Sequence, residues 1–268
     1  MTTPRTPPSG PNDEFWRDYL TRGAGMEHRM RSVFRRLPHS PRCRLCAVPF
    51  GGPIGSVGRV FGKFPSSKDP KMCNSCFTFI EKHHGGAEID VSLVFADIRN
   101  STAMAERLPS SEFHALLDRF YQAAAEVIYA NDGGVDKFVG DEIVALFFPL
   151  MSGERHAARA IDAALGLLRA TGHGQKGGPW VPIGVGVNSG PAWVGAVGDE
   201  SHTEITALGD NVNITARLAS AAGAGEVLVT LEAARVAGMD VTGLEHRSLE
   251  LKGREQTADV VSLTVASS

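Results

Sequence analysis

The sequence lacks the features that mark membrane-spanning and nucleic-acid-coating proteins. Its 268 residues include only four cysteines and 7% aromatic residues, and the formal net charge is -3. A charge this small gives no bulk attraction to nucleic acid or anionic lipid. The longest apolar candidate, VPIGVGVNSGPAWVGAVG, is too often interrupted by Gly, Pro, Asn and Ser to form a spanning helix. The 43% hydrophobic and 21% charged shares instead fit a soluble globular protein with one sizeable core and a small appendage.

The amino terminus also lacks an export signal. MTTPRTPPSGPND has no apolar core of the kind that signal peptides need, and it is polar and rich in proline. We therefore expect residues 1–12 to be disordered. Without an export signal the expected compartment is the cytoplasm, where cysteines stay reduced.

Residues 13–37 carry apolar side chains at helical spacing and are predicted to form an amphipathic helical segment. The GAG at 23–25 should break or bend it into two short helices. The second part is basic and contains Arg29, Arg31, Arg35 and Arg36. Packing against its own or a partner's domain is the favoured interpretation, because the charge is local and modest. A membrane-surface or nucleic-acid helix is the alternative.

All four cysteines lie in two short motifs, CRLC at 43–46 and CNSC at 73–76. Two Cys-x-x-Cys turns supply a tetrahedral ligand set for Zn²⁺, namely Cys43, Cys46, Cys73 and Cys76. Two disulfides are the alternative, but they conflict with a reducing compartment. Four protein ligands leave no open position, so the metal should be structural. The predicted zinc-ribbon-like module covers residues 38–86 and ends in FTFIEKHHGGAE, a short helix followed by a glycine-containing linker.

From residue 87 onwards strands and helices alternate. IDVSLVFADI reads as a strand ending in Asp97, and SSEFHALLDRFYQAAAEVIYANDG as a helix with Ser110 or Ser111 as its N-cap. VDKFVGDEIVAL reads as a hairpin with Gly140 and Asp141 at its tip. VPIGVGVNSG reads as a strand, with AWVGAVG as its hairpin partner. This order predicts an α/β sandwich with helices against a mixed sheet.

Two aspartates stand at points where catalysis is plausible on chemical grounds. Asp97 ends a buried strand and precedes IRNST, a polar turn into a helix, and Asp141 follows a neighbouring strand. Two carboxylates on adjacent strands beside a helix start suit two-metal phosphoryl chemistry. Two unrelated turn aspartates are the alternative.

Five motifs occur in one order: FADIRNST, DKFVGDEIVALF, GVGVNSGPAWVGAVG, LGDNVNITARL and LELKG. In this order they resemble the catalytic domain of class III nucleotidyl cyclases, the adenylyl and guanylyl cyclases, from about Val91 to Val265. The resemblance implies an α/β (α+β sandwich) fold for residues 87–268. Its mixed, mainly antiparallel sheet would be covered by helices around a ferredoxin-like core.

The resemblance also implies a site. Its members are Asp97, Ile98 and Asp141 for two Mg²⁺ or Mn²⁺ ions, Lys137 and Thr206 for the base, Asn213 and Arg217 for catalysis, and Lys252 for the triphosphate. In the family the aspartates come from one protomer, and the base-selecting pair, the Asn and the Arg come from the other. A homodimer with two composite sites is therefore expected.

The base-selecting pair points to an adenylate cyclase that converts ATP to 3′,5′-cyclic AMP and pyrophosphate. Lys137 can donate a hydrogen bond to adenine N1, and the Thr206 hydroxyl can accept one from the exocyclic amine. GTP or a pyrimidine triphosphate is the alternative substrate, and a non-catalytic cyclase-like binding protein the alternative class. The GGDEF hairpin of diguanylate cyclases is a weaker match, because that family lacks the GDxVNxxxR helix.

Overall fold

A computed structural model describes residues 12–22, 31, 33–34, 36–37, 41–68, 70–198, 203–250 and 257–266. The chain divides into two compact units, Met1–Ile89 with Trp193–Ala207 and Asp90–Ala192 with Leu208–Ser268. None of the helices in the described ranges has the length and apolarity needed to traverse a bilayer.

The first unit contains helices α1 (Asp13–Arg22), α2 (Gly52–Val60) and α3 (Asn74–Lys82). Helix α1 buries Trp16, Tyr19 and Leu20, which lie three and four residues apart and so share one face. The Tyr19 ring lies 4.8 Å from that of Phe79 on α3. Aromatic packing thus joins α1 to α3. Most of the second predicted helix, from residue 23 to 37, lies outside the described residues.

The sheet has eight strands: β1 (Gly85–Ile98), β2 (Gly134–Val139), β3 (Glu142–Phe147), β4 (Ile183–Gly198), β5 (Thr203–Leu208), β6 (Glu226–Thr230), β7 (Glu245–Glu250) and β8 (Thr257–Thr264). Their order is β2-β3-β1-β4-β6-β8-β7, and β5 pairs with β4. Strand β3 is antiparallel to β1 and β2, β8 is antiparallel to β6 and β7, and β4 is parallel to β6. The predicted mixed, mainly antiparallel sheet is confirmed.

The helices of the second unit are α4 (Ser101–Arg107), α5 (Ser110–Ala130), α6 (Pro149–Ser152), α7 (His156–Ala170), α8 (Asp210–Ala221) and α9 (Leu231–Ala237), with a 3₁₀ turn over Gly153–Arg155. Helix α5 buries Phe120, Ala124 and Ile128 at four-residue spacing, in one core cluster with α7 and the sheet. Each large apolar side chain buried there contributes about 1.5–3 kcal/mol. This core fixes the strand ends that carry the acidic residues.

The predicted N-cap of α5 is wrong. The helix begins at Ser110, its N-cap is Pro109, and no side chain caps it. Proline sets φ at -54° here and brings the chain into the helix without a capping hydroxyl. Glu112 in the first turn complements the positive end of the helix dipole instead.

The predicted hairpin between VPIGVGVNSG and AWVGAVG is also wrong. Both segments belong to the single strand β4, and the strand that pairs with it is β5. The NSGP sequence resembles a turn, but Gly190 has another reason to be glycine. A Cβ there would lie 2.7 Å from the Asn211 side-chain nitrogen, which donates to the Pro191 carbonyl at 2.6 Å. The close approach of α8 therefore explains why residue 190 is a glycine, and strand β4 continues through this position.

A third difference concerns the glycines before Asp97's strand. They were expected to form a linker, but β1 already begins at Gly85. A Cβ on Gly86 would lie 2.5 Å from the Trp193 ring and 2.5 Å from the Val194 carbonyl oxygen. Gly86 is therefore needed for tight packing between strands rather than for flexibility.

Candidate active site

The β2–β3 turn is held in place by its own geometry and by α5. Gly140 has φ +60° with open space around it, so the left-handed conformation alone favours glycine. The Tyr121 hydroxyl donates to the Gly140 carbonyl, and the Tyr121 ring stacks on Phe138 at 4.4 Å. The next residue, Asp141, therefore occupies a fixed position at the tip.

Asp97 and Asp141 meet at one edge of the sheet. Asp97 is the ladder partner of Glu142, and the Ile98 amide donates to the Asp141 carbonyl at 3.3 Å. Burial raises the pKa of Asp97 to about 6, helped by its hydrogen bond with Asp141 and opposed by Arg99. For Asp141, burial is outweighed by hydrogen bonds from Ser101 and Asp97, so its pKa is lowered. The pKa values of the two carboxyl groups therefore move apart, and Asp97 is the one that stays protonated to higher pH.

Glu142 adds a third acidic group. Burial raises its pKa to about 7, and the charges of Asp97 and Asp141 add to this effect. Burial is thus the main cause of the raised pKa values of Asp97 and Glu142, and the neighbouring carboxylates add to it. Mg²⁺ and Mn²⁺ prefer oxygen ligands. The cluster offers carboxylate oxygens, and Ile98 offers its backbone carbonyl. The residues present therefore fit divalent cations.

Arg99 is a member of this site that the sequence analysis missed. Its Nη2 forms an ion pair with Asp97 Oδ2, and its Nη1 donates to the carbonyls of Ser220 at 3.0 Å and Ala222 at 3.2 Å. One side chain therefore connects an acidic group to the carboxyl end of α8. The signal was present in the IRNST turn, as a cation two residues after Asp97, but its partners on α8 are more than 120 residues away.

Helix α8 carries the second predicted group. Asn213 and Arg217 are four residues apart and so lie on one face of the helix. Asn213 is exposed, whereas Arg217 is partly buried. The Arg217 Nη1 atom is buried and finds no hydrogen-bond partner within the described part of the chain. A buried guanidinium nitrogen without a partner is suited to receive an anion.

The two predicted base-selecting residues belong to different units. Lys137 follows a break in the β2–β3 register after Val135, where a bulge redirects the side chains. Its Nζ lies 3.6 Å from Oδ2 of the buried Asp136. Thr206 is buried on β5. Lys252, predicted for the triphosphate, lies outside the described residues.

The four cysteines form a separate cluster in the first unit. All are buried and unbridged, and their sulfur atoms lie within 4.8 Å of one another. Burial opposes ionisation of Cys43, but hydrogen bonds from the other three thiols lower its pKa overall. Hydrogen bonds with Cys43 raise the pKa of Cys46 and Cys76. The pKa of Cys73 is lowered as well. Four buried sulfurs around one point fit a tetrahedral cation site.

Comparison with known proteins identifies the unit that holds the acidic cluster. Residues 86–262 match the family model described as the adenylate and guanylate cyclase catalytic domain. The chain belongs to this family. Among cyclase relatives, Adenylate cyclase 1 of Rhizobium meliloti is 33% identical over 144 residues, 51% of this chain and 22% of that protein. The Adenylate cyclase of Anabaena cylindrica is 31% identical over 132 residues, 48% of this chain and 26% of that protein.

Solved cyclases share the fold. The guanylyl cyclase Cya2 superposes with a TM-score of 0.60 at 26% identity, covering 69% of this chain and 95% of that one. The adenylyl cyclase CyaB from P. aeruginosa superposes with a TM-score of 0.57 at 24% identity, covering 68% and 96%. The match spans about a quarter or less of the length of the two sequence relatives. The resemblance read from the sequence is confirmed, and the chain is a class III cyclase by family and fold.

Proposed function

We propose that this cyclase is an adenylate cyclase, which converts ATP to 3′,5′-cyclic AMP and pyrophosphate at composite sites in a homodimer. The observation that carries the proposal is the Asp97–Asp141 pair, two carboxyl groups brought to adjacent strand ends by the β1–β3 ladder, in which Asp97 pairs with Glu142 and the Ile98 amide donates to the Asp141 carbonyl. Two further features support it: the phosphoryl-binding character of Arg217 and the amine that Lys137 offers to a base. The cytoplasm, where nucleoside triphosphates and reduced thiols coexist, is the proposed compartment.

Asp97 and Asp141, with the Ile98 carbonyl, would hold two Mg²⁺ or Mn²⁺ ions. Bound there, the ions neutralise the triphosphate and make the ribose 3′-hydroxyl a better nucleophile. The 3′-hydroxyl loses its proton to water as its oxygen forms a bond to the α-phosphorus, the bond from that phosphorus to the oxygen that bridges to the β-phosphate breaks, and pyrophosphate leaves. Because the reaction is intramolecular, the residues of the chain mainly position the nucleotide and stabilise charge.

The α8 residues take the complementary roles. Asn213 orients the ribose, and Arg217 donates to the oxygens of the transferring phosphoryl group and of the leaving pyrophosphate. Neither residue hydrogen-bonds to Asp97 or Asp141 within the described part of the chain. This supports a site completed by a second copy, in which α8 of one protomer faces the acids of the other.

Lys137 supports ATP over GTP. Its amine can only donate hydrogen bonds, and adenine N1 accepts one, whereas guanine presents an N–H at the same position. Thr206 offers a hydroxyl, which both donates and accepts, so its preference is weaker. A guanylate cyclase is the second candidate, favoured by the likeness to a solved guanylyl cyclase.

The direct test is to incubate the purified protein with Mn²⁺ or Mg²⁺ and each of four nucleoside triphosphates, and to identify the products by mass. We expect cyclic AMP as the main product. Cyclic GMP or a cyclic pyrimidine nucleotide as the main product would correct the substrate, and no cyclic product from any of the four would contradict catalysis.

Substitution at the base-selecting position refines that test. Lys137→Glu should lower turnover of ATP relative to GTP by about tenfold or more, since an acceptor replaces a donor and each good hydrogen-bonded contact is worth about 1–3 kcal/mol. Lys176→Glu, an exposed lysine on a turn, is the matched charge control. An unchanged ATP-to-GTP ratio in Lys137→Glu would remove Lys137 from base recognition.

A further inference from the structure

The small net charge of the chain hides a strong separation of charge. Residues 1–86 contain 14 Lys and Arg against 6 Asp and Glu, a net charge of +8. Residues 87–268 contain 13 Lys and Arg against 24 Asp and Glu, a net charge of -11. A basic segment of this kind attached to an acidic domain is typical of proteins that meet an anionic surface through one end.

Helix α2, between the two cysteine motifs, has its small residues inside and its large apolar residues outside. A Cβ on Gly55 would lie 2.5 Å from the Phe50 carbonyl oxygen, and one on Gly58 would lie 3.3 Å from the Lys63 Cβ. The glycine face is therefore the packed face. This reverses the usual arrangement of a helix on a small domain, in which the large apolar residues are buried.

We call the outward-facing large apolar residues of this segment the α2 tip. It consists of Val57, Val60, Phe61 and Phe64. Val60 is 82% exposed, Phe61 72% and Val57 62%. Their spacing of three, four and seven residues places the first three on one side of the helix and its C-cap. Single exposed apolar residues are ordinary, but several adjoining ones mark a contact site.

Positive charge borders the tip. Arg59 lies between Val57 and Val60 in the sequence and is exposed, and its side chain forms no ion pair or hydrogen bond within the described residues. Lys63 lies between Phe61 and Phe64 in the sequence and is half-buried. The tip thus combines apolar side chains at the centre with at least one cation at the edge.

We propose that the α2 tip inserts into the headgroup region of an anionic lipid membrane. A nine-residue helix is far too short to span a bilayer, but apolar side chains flanked by cations suit the interface between headgroups and acyl chains. Aliphatic valines offer nothing to phosphates or base edges, so a nucleic acid would leave the centre of the tip unused. The net charge of +8 on residues 1–86 favours anionic over neutral lipid.

The test uses the purified full-length protein and flotation with two vesicle types, phosphatidylcholine alone and phosphatidylcholine with about 30% phosphatidylglycerol. We expect binding to the anionic vesicles that weakens as salt is raised. The double variant Val60→Asp/Phe61→Asp should reduce partitioning by about tenfold or more, because two apolar groups become acids. Arg59→Gln should reduce it by about fivefold, the effect of one cation near an anionic surface.

The matched control is Val236→Asp, an exposed valine on α9 of the other unit, which should bind as the unaltered protein does. Zinc content and circular dichroism verify that each variant is folded, and Val57→Ser serves as a milder change if the double variant is not. Equal binding to both vesicle types, or equal loss in the control, would overturn the proposal. A tip variant that still binds vesicles would also overturn the proposal. If that variant loses self-association on size exclusion, the tip contacts a second copy, and if it loses binding to a fluorescent oligonucleotide, the tip contacts nucleic acid.

Discussion

The cysteine cluster and the acidic cluster both bring together groups that can carry negative charge, but they differ in how far their side chains are buried. All four thiols are buried and come from two turns in one unit of one chain. Asp97, Asp141 and Glu142 are only half-buried at the edge of a sheet. A closed set of four protein ligands leaves no room for a substrate, whereas an open set of carboxylates does. The difference supports the structural role proposed for the first cluster and the catalytic role proposed for the second.

The ligand atoms of the two clusters also differ, and they suit different metal ions. Sulfur ligands select soft or borderline cations such as Zn²⁺, and carboxylate oxygens select hard cations such as Mg²⁺ and Mn²⁺. Removing a ligand from the cysteine cluster should therefore damage local folding and leave chemistry elsewhere possible. Removing a carboxylate from the acidic cluster should abolish the chemistry and leave the fold intact.

The largest effect is expected from the acidic cluster. Asp97→Ala and Asp141→Ala should each lower cyclase activity by at least about a hundredfold, comparable to losing one preorganised electrostatic contact at an active site. Asp162→Ala, an exposed aspartate on α7, should retain activity. The measurement is initial rate at saturating Mn²⁺, with zinc content and melting temperature recorded. Near-normal turnover in either variant would contradict the two-metal assignment.

The second test concerns the cysteine cluster. We expect about one zinc per chain by elemental analysis, and loss of that zinc with exposure of the module to protease in Cys73→Ser. Ser75→Ala, between the last two cysteines, keeps all four thiols and should keep the metal. Protein purified under reducing conditions with no metal would contradict the zinc assignment.

The third test asks whether the acids and α8 act across two protomers. Asp97→Ala and Arg217→Ala should each be nearly inactive alone. After random subunit exchange about half of the dimers are mixed, and each has one intact site, so roughly a quarter of the original activity should return. Mixing two Asp97→Ala preparations is the control and should restore nothing. If exchange is verified by a tag and no activity returns, the sites are not shared.

The smallest effect is one of stability. Glu142 has a pKa raised to about 7, so its charge destabilises the folded state at higher pH. Between the ordinary value of 4.5 and about 7 the folded state binds the extra proton, so stability falls as pH rises through this range. Glu142→Gln should therefore gain about 1 kcal/mol at pH 8 after allowance for solvent screening, a few degrees in melting temperature.

That gain should shrink strongly near pH 4.5, where Glu142 is protonated in the folded state and about half-protonated in the unfolded state. Thermal melts at pH 8 and pH 4.5 measure it, and Glu154→Gln, an exposed acid, is the control. A gain that is the same at both pH values would mean that repulsion among the three acids is not its cause.

Arg99 connects the two halves that the mixing test treats as separate. It pairs with Asp97 and donates to the carbonyls at the end of α8, the helix of Asn213 and Arg217. In a dimer with shared sites, these two groups of one chain serve different sites. Arg99 would then act as a positioning group for both, whereas the side chain of Arg155, an exposed arginine at the end of the 3₁₀ turn, has no such contacts in the described residues.

Much of the fold was determined by local sequence patterns. The β2–β3 hairpin could be predicted from two β-rich runs around Gly140, and the cysteine cluster from two Cys-x-x-Cys turns, because each depends on a few neighbouring residues. Motif order identified the family, and the mixed, mainly antiparallel sheet followed from it. The roles of individual site residues and the domain boundaries stay predictions, which the experiments above address.

Other features were decided only by the tertiary structure, because they depend on contacts between residues far apart in the chain. The NSGP segment continues as strand because α8 packs against Gly190, which no local rule reveals. Arg99 joins the site through carbonyls that lie more than 120 residues later. The sequence of α2 shows a helical periodicity of apolar residues, but it does not show which face of the helix is buried. The close packing of the glycines decides that the large apolar residues face outwards. Periodicity is a local property of a chain, whereas burial is a property of its neighbours in space.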